Sequence, residues 1–260
     1  MKMYCINLDR HAQRRERMNV CLQNLPFERI AAVDGQTLVG PDRRDKSVPS
    51  TAETLTRFER ACLASHHLAW TNFLADGGTF ACVLEDDLVF SPEFADFIRD
   101  PSWIPTGCNL VKLETFYEQI VVSCKTVAAR NRTLAELRWL HNGSGAYIIS
   151  RRGAELFLAA TATLAQPVDV ALFSPENFRP LGPVLQLIPA LCVQAQHVAG
   201  EMAFAELKSS IQLGWMPKKK TFWQRIKKET LRPFQQLSSA ILRPVYLRLT
   251  GTRQMVVPHA

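Results

Sequence analysis

The sequence has no CxxC pair. Its seven cysteines, at positions 5, 21, 62, 82, 108, 124 and 192, are scattered and odd in number. That pattern argues against a disulfide framework and against a zinc site, and favours a reducing compartment. Neither a GxxxxGK[ST] phosphate loop nor a GxGxxG dinucleotide fingerprint occurs. No window reaches the roughly 18 uninterrupted apolar residues of a membrane-crossing helix. The N-terminus lacks a signal-peptide core, because Tyr4 to Leu8 is short and runs into Asp9 and Arg10. Internal repeats, low-complexity tracts and recognised nucleic-acid motifs are missing too. The expectation is a cytoplasmic protein that binds no nucleic acid.

What is present is ordinary in bulk and uneven in placement. The 260 residues are 47% hydrophobic and 21% charged, enough for one sizeable domain and an appendage. The formal charge is +7, but Lys218 to Ala260 holds ten basic residues against one acid, Glu229. The high isoelectric point therefore belongs to the tail. There Phe222, Trp223, Ile226 and Thr230 share a helical face opposed by Lys220, Arg225, Lys227 and Lys228. Beyond Pro233, Leu237, Ile241, Val245 and Leu249 recur every fourth residue. Basic residues beside Trp and aliphatic faces suit an anionic membrane surface; packing on the domain or on a second subunit is the competing reading. The division is a domain over 1–215 and a basic amphipathic helical tail over 216–260.

Within the domain, apolar runs at Met3–Leu8, Phe27–Val33, Thr79–Leu84, Asn109–Leu113, Ile120–Val122, Val184–Ile188 and Cys192–Gln196 read as strands. Helices are expected over Ala12–Leu25, Thr56–Ala75, from Ser91-Pro92-Glu93, and from a Ser150 cap to about Leu164. Gln36–Thr54 and Ser123–Glu136 read as loop and surface crossing. The alternation predicts an α/β domain with a mainly parallel sheet, which binds ligands at the C-terminal strand ends.

The stretch Phe80–Phe90 carries the strongest chemical signal. An apolar run enters three adjacent carboxylates, Glu85, Asp86 and Asp87, and leaves as another apolar run. Buried like charges need a cation or hydrogen-bond donors. Mg²⁺ or Mn²⁺ on a phosphorylated ligand answers that need; a solvated acidic turn is the alternative. Asn7, Asp9 and Asp34 fall at other strand ends, on the same rim. Arg10, Arg14, Arg15 and Arg17 crowd a helix start, where cations oppose the dipole, so an anionic neighbour or ligand explains them better than helix stability; a solvated basic face is the alternative. Ser65 and His66 lie on the second long helix. His141 precedes a glycine-rich turn, Gly143-Ser144-Gly145, that permits close backbone approach to a ligand and leads into a short apolar strand before Ser150. Asp169 stands in an apolar context that invites a raised pKa and a general-base role, or else a helix cap.

Several of these pieces occur in a familiar order. They are Ile6-Asn7-Leu8-Asp9-Arg10, Arg14-Arg15-Glu16-Arg17-Met18, Ala32-Val33-Asp34-Gly35, Glu59 with Cys62, Ser65-His66, Trp70, Leu84-Glu85-Asp86-Asp87, Gly145–Ser150 and Pro167-Val168-Asp169. Over roughly residues 3–197 the chain resembles glycosyltransferase family 25, of bacterial lipooligosaccharide and collagen galactosyltransferases. Ala61 departs from the expected Gly of the Glu-x-Gly-Cys element. The resemblance implies a glycosyltransferase A (Rossmann-like) fold, a UDP-galactose donor and an inverting reaction. It also implies Mn²⁺ or Mg²⁺ held by Asp87 with Glu85 or Asp86, and Asn7, Asp9 and Arg14 near the uridine diphosphate. Asp169 is the expected base, with Glu114 as runner-up. His141 and the Gly143–Gly145 turn are expected to line the sugar or acceptor site, and His197 to give a late metal or phosphate contact. The acceptor would be a lipid-linked oligosaccharide at the inner membrane face. A transferase-like protein without turnover and a metal-dependent nucleotidyltransferase compete with this reading.

Overall fold

The computed structural model describes residues 1–41, 55–163, 165–174, 180–198 and 247–260. Strands β1 (Lys2–Asn7), β2 (Glu28–Ala31) and β3 (Phe80–Glu85) form a parallel group, with β1 in the middle. The sheet continues through β9 (Ala146–Ser150), β5 (Leu110–Lys112), β10 (Val184–Ile188), β8 (Arg132–Leu137), β7 (Gln119–Ala129) and β12 (Thr252–Val256). Of the neighbouring pairs in this nine-stranded sheet, only β1 with β2, β1 with β3, and β5 with β10 are parallel. The sheet is therefore mixed, and the expectation of a mainly parallel one is corrected. The cause is local: β9 runs antiparallel between β3 and β5, and β7 and β8 form an antiparallel hairpin.

Alternation along the strands supplies both faces of the sheet. Tyr4, Ile6, Ala81, Val83, Tyr147 and Ile149 join one core with Trp70, Phe73 and Phe157. Met3, Cys5, Cys82, Leu84, Ala146 and Ile148 join the other with Met18, Leu22, Phe94, Phe97 and Trp103. Burial on both faces explains why these strands read as unbroken apolar runs. Helices α2 (Arg57–Asp76), α4 (Arg151–Ala160) and α5 (Val168–Phe173) cover the first face. The second is covered by α1 (Ala12–Cys21) and α3 (Phe94–Arg99). Thr56 and Glu59 make a capping box at the start of α2, and Gly77, left-handed at φ 76°, ends it. Ser150 caps α4 by accepting a hydrogen bond from Gly153 N–H.

Two expectations fail at the far edge. Residues 123–136, read as a surface crossing, belong to the β7–β8 hairpin. Of the tail expected over 216–260, the described residues 247–260 do not stay apart: β12 pairs with β7, and Val257 is buried in the main core. Arg132 donates to Ala260 O, and Ala190 N–H to Pro258 O. The amphipathic pattern over 216–246 lies outside the described residues. Among those described, no helix is long and apolar enough to cross a membrane.

A second, small sheet orders β4 (Leu88–Phe90), β11 (Cys192–Gln194) and β6 (Glu114–Thr115). It turns the acidic triplet into the link between two sheets, since β3 ends at Glu85 and β4 begins at Leu88. Ala195 N–H bonds Asp87 O at 2.8 Å and latches the small sheet to that link.

Candidate functional site

Topology brings four segments to one edge of the large sheet. The C-terminal ends of β1 and β3 supply Asn7 and Glu85–Asp87. Because β9 is antiparallel to β3, its N-terminal approach, Gly143–Gly145, reaches the same edge, and Glu85 N–H bonds Gly145 O at 2.8 Å. The C-terminal end of β5 adds Lys112 and, just beyond it, Glu114.

The three carboxylates do different things. Asp86 is buried and tied inward: Asn7 Nδ2 donates to Oδ2 at 2.6 Å and Arg14 Nη1 to Oδ1 at 2.9 Å. Asp87 is buried, and its Oδ1 has no hydrogen-bond partner. Burial, then the charges of Glu85 and Asp86, push its pKa well above the usual carboxylate value. Glu85 Oε1 accepts from the Ser144 hydroxyl at 2.8 Å and faces His66 Nε2 at 3.4 Å. Burial opposes its ionisation, but His66, Ser144 and Lys112 outweigh it and lower the pKa.

His66 itself is buried and oriented from behind. Trp70 Nε1–H donates to the Tyr147 hydroxyl at 2.8 Å, and that hydroxyl lies 2.8 Å from His66 Nδ1. The indole is only a donor, so it occupies one lone pair of the hydroxyl; toward His66 Nδ1 the hydroxyl either donates its own proton or accepts from Nδ1–H, as the imidazole tautomer dictates. Ser65 is a bracket: its Oγ accepts from Val33 N–H and donates to Ala61 O.

Two cavities meet at this edge. The first opens to solvent and is lined by Arg10, His11, Arg14, Phe58, Cys62, His66 and the three carboxylates, among others. The second is lined by Glu59, Phe116, Gly143, Ser144, Asp169 and Gln194, among others. Cys62 and Glu85 line both. Asp169 is half-buried in the first turn of α5, not at its cap, and its Oδ2 accepts from Gly143 N–H at 3.2 Å.

Other expected residues stand elsewhere. Asp9 is exposed and pairs with Arg29, while Asp34 pairs with Arg10 at the rim of the first cavity. The basic helix start thus finds part of its anionic partners within the protein. Glu114 lines neither cavity. It is buried with Lys112 at 3.0 Å and accepts from Gly145 N–H at 2.8 Å. Burial and Glu85 push its pKa up to about 7, against the pull of Lys112 and Gly145. Lys112 also donates to Gly143 O and lies 4.0 Å over the Phe173 ring. This pair braces the glycine turn from behind. His141 is buried against Gln186 at 2.8 Å, outside both cavities. His197 is exposed, edge-on to Phe116 at 4.8 Å and beside Gln196. The sequence reading missed Lys112, Tyr147, Phe116 and His11. A lysine inside an apolar strand, Leu110-Val111-Lys112-Leu113, was the available signal for the first.

Residues 1–172 match the family described as Glycosyltransferase family 25 (LPS biosynthesis protein). The chain is 30% identical over 217 residues to the lacto-N-neotetraose biosynthesis glycosyltransferase LgtB of Neisseria gonorrhoeae, covering 76% of each chain. It is 31% identical over 164 residues to LgtE of Neisseria meningitidis, covering 58% of this chain and 59% of that one. The lipooligosaccharide biosynthesis protein lic2B of Haemophilus influenzae is 24% identical over 270 residues, covering 97% of both. The match spans β1 through most of α5, the segment that carries the triplet, the glycine turn and Asp169, and this chain belongs to glycosyltransferase family 25.

Proposed function

We propose that the chain transfers galactose from UDP-galactose to a lipooligosaccharide or related membrane-linked glycan, with inversion and with help from a divalent cation. The observation that carries this reading is the meeting of two cavities at Glu85, with Asp87 on one side and Asp169 on the other. The relatives' names, in lacto-N-neotetraose and lipooligosaccharide biosynthesis, support the acceptor class.

In this reading the first cavity takes the nucleotide and the second the acceptor. Arg10 and Arg14 favour an anionic ligand there, although both also face protein carboxylates. The side chains present fit Mn²⁺ or Mg²⁺: the donors are hard oxygens, and Asp87 carries a buried, unpartnered oxygen. Asp87 with Glu85 would hold the ion, which would neutralise the departing diphosphate. His197, packed against Phe116, is left out of that set.

Asp169 accepts the proton of the acceptor hydroxyl as its oxygen attacks the anomeric carbon. UDP leaves from the opposite face, so no protein nucleophile is needed. Gly143 N–H and Val170 N–H, on the two oxygens of Asp169, fix its orientation. His66, held by Tyr147, orients Glu85 at the junction.

The test uses the purified protein, Mn²⁺, a panel of nucleotide sugars and a truncated lipooligosaccharide, with nucleotide release read by mass spectrometry. UDP release is expected with UDP-galactose. Asp169→Asn should lower kcat by roughly 10²–10⁴ while donor binding persists. Undiminished turnover in that variant would refute the base assignment. The basic tail is proposed to hold the enzyme on an anionic membrane. Replacing Lys218, Lys219, Lys220, Lys227 and Lys228 by Gln leaves β12 in place, and undiminished vesicle flotation would refute the tail's role.

A further inference from the structure

The cysteines offer no paired motif, yet Cys62 and His66 are one helical turn apart on α2 and share a face. Glu85 approaches them from the end of β3. A sulfur of Cys62, a ring nitrogen of His66 and a carboxylate oxygen of Glu85 all lie within 4.8 Å of one another. The His66 Nε2 to Glu85 Oε1 distance is 3.4 Å, long for a hydrogen bond. Zinc bonds of about 2.0–2.2 Å at the tetrahedral angle place two such ligand atoms roughly 3.4 Å apart.

We propose that Cys62, His66 and Glu85 form a site for a divalent cation of the zinc class, and that this ion competes with the donor for Glu85. The donor set selects the ion. A thiolate and an imidazole suit zinc and disfavour Mn²⁺ and Mg²⁺, which the triplet's oxygens suit instead. A thiolate and a carboxylate also balance its two charges. Cys62 and Glu85 line both cavities and His66 lines the first, so the fourth position opens into the cleft. Three protein ligands and an open position mark an exchangeable site rather than a closed structural one.

The surrounding groups orient the ligands. The Tyr147 hydroxyl accepts from Trp70 with one lone pair and has a second for His66 Nδ1–H, which frees Nε2 for the metal. The Ser144 hydroxyl holds Glu85 Oε1. The absence of CxxC concealed this site, because its ligands are spaced by a helical turn and by the approach of a strand.

Metal-stripped, reduced full-length protein is titrated with Co²⁺ as a spectroscopic probe. One equivalent should bring a near-ultraviolet thiolate-to-cobalt band and the intense visible bands of four-coordinate cobalt, both lost on adding Zn²⁺. Cys62→Ser should abolish the near-ultraviolet band and weaken zinc binding at least about tenfold; Cys62→Ala is the second variant. Cys21→Ser and Cys124→Ser remove exposed thiols and should keep the band, as should Asp87→Asn. The site is refuted if wild type shows no band, if the band survives in both Cys62 variants, or if it disappears in Asp87→Asn or either exposed-cysteine variant. The competition half rests on the proposed donor site. Zinc inhibition, taken against each variant's own zinc-free rate, should shrink in Cys62→Ser, and equal inhibition would overturn that half. The cobalt signal needs no turnover, so its outcome is independent of the transferase reading.

Discussion

Replacing Gly143 by Ala tests how the glycine turn is held. Gly143 sits at φ 87°, and a Cβ there would lie 2.0 Å from Cε2 of Phe116, with Cζ and Cδ2 at 2.7 and 2.8 Å. Left-handed backbone with a Cβ costs roughly 1–2 kcal/mol. Forcing an aromatic ring from a packed position costs about 1–3 kcal/mol more. The expected loss is therefore ~2–5 kcal/mol, read by urea unfolding followed through tryptophan fluorescence. Gly107 supplies the control, since it has φ 79° and nothing within 4 Å of its added Cβ. Gly107→Ala should lose only the backbone component, about 1–2 kcal/mol. Pairing Gly143→Ala with Phe116→Ala should recover part of the difference. Function should suffer beyond stability, because Gly143 donates to Asp169 and Phe116 lines the same cavity. A displacement of about 1 Å there can cost on the order of 100-fold in kcat/KM. The reasoning is refuted if Gly143→Ala is as stable as Gly107→Ala and keeps full activity.

Arg14→Met should destabilise the protein by about 3–5 kcal/mol, because it strands the buried Asp86 beside two other carboxylates. Adding Asp86→Asn should restore part of that loss in a double-mutant cycle, and simple additivity would contradict the pairing. Asp87 has a raised pKa in the folded state, so the folded protein holds that proton more tightly than the unfolded chain. Its contribution is then favourable below the ordinary carboxylate value and is lost as pH rises through the folded-state pKa. In metal-free protein, Asp87→Asn should therefore raise the melting temperature at pH 7 relative to pH 4, against wild type. Mn²⁺ should raise the wild-type melting temperature and leave that of Asp87→Asn unchanged. Truncation after Gly251 removes β12 and the buried Val257, and should lower stability by several kcal/mol, read by thermal melting.

Much of this edge was legible because its signals are local. The triplet, the Thr56 start of α2, its Gly77 stop and the Ser150 cap all lie within a few residues of their cause. Strand burial on both faces made β1, β3 and β9 plain as apolar runs. Their direction was not encoded in that way, and so the sheet was expected to be mainly parallel. The β7–β8 hairpin escaped because Cys124–Ala128 is exposed and looks polar, while its partner strand is the next segment of the same polar stretch. The end of the chain escaped because β12 pairs with residues 119–123, far back in the sequence. The division of labour among Glu85, Asp86 and Asp87 also had no local signature. It depends on what arrives from elsewhere: Arg14 and Asn7 for the middle carboxylate, His66 and Ser144 for the first.

The pairing of β12 with β7 also has a history in time. At synthesis rates of about 5–20 residues per second, roughly 6–25 s separate the emergence of β7 from that of β12. Throughout that interval the outer row of peptide groups on β7 stands open on the nascent chain. Such an edge is a template for foreign strands, including those of neighbouring polysomes. β12, made long after its partner, therefore acts as a closing strand, and crowded overexpression should reveal the delay as aggregation before any loss of intrinsic stability.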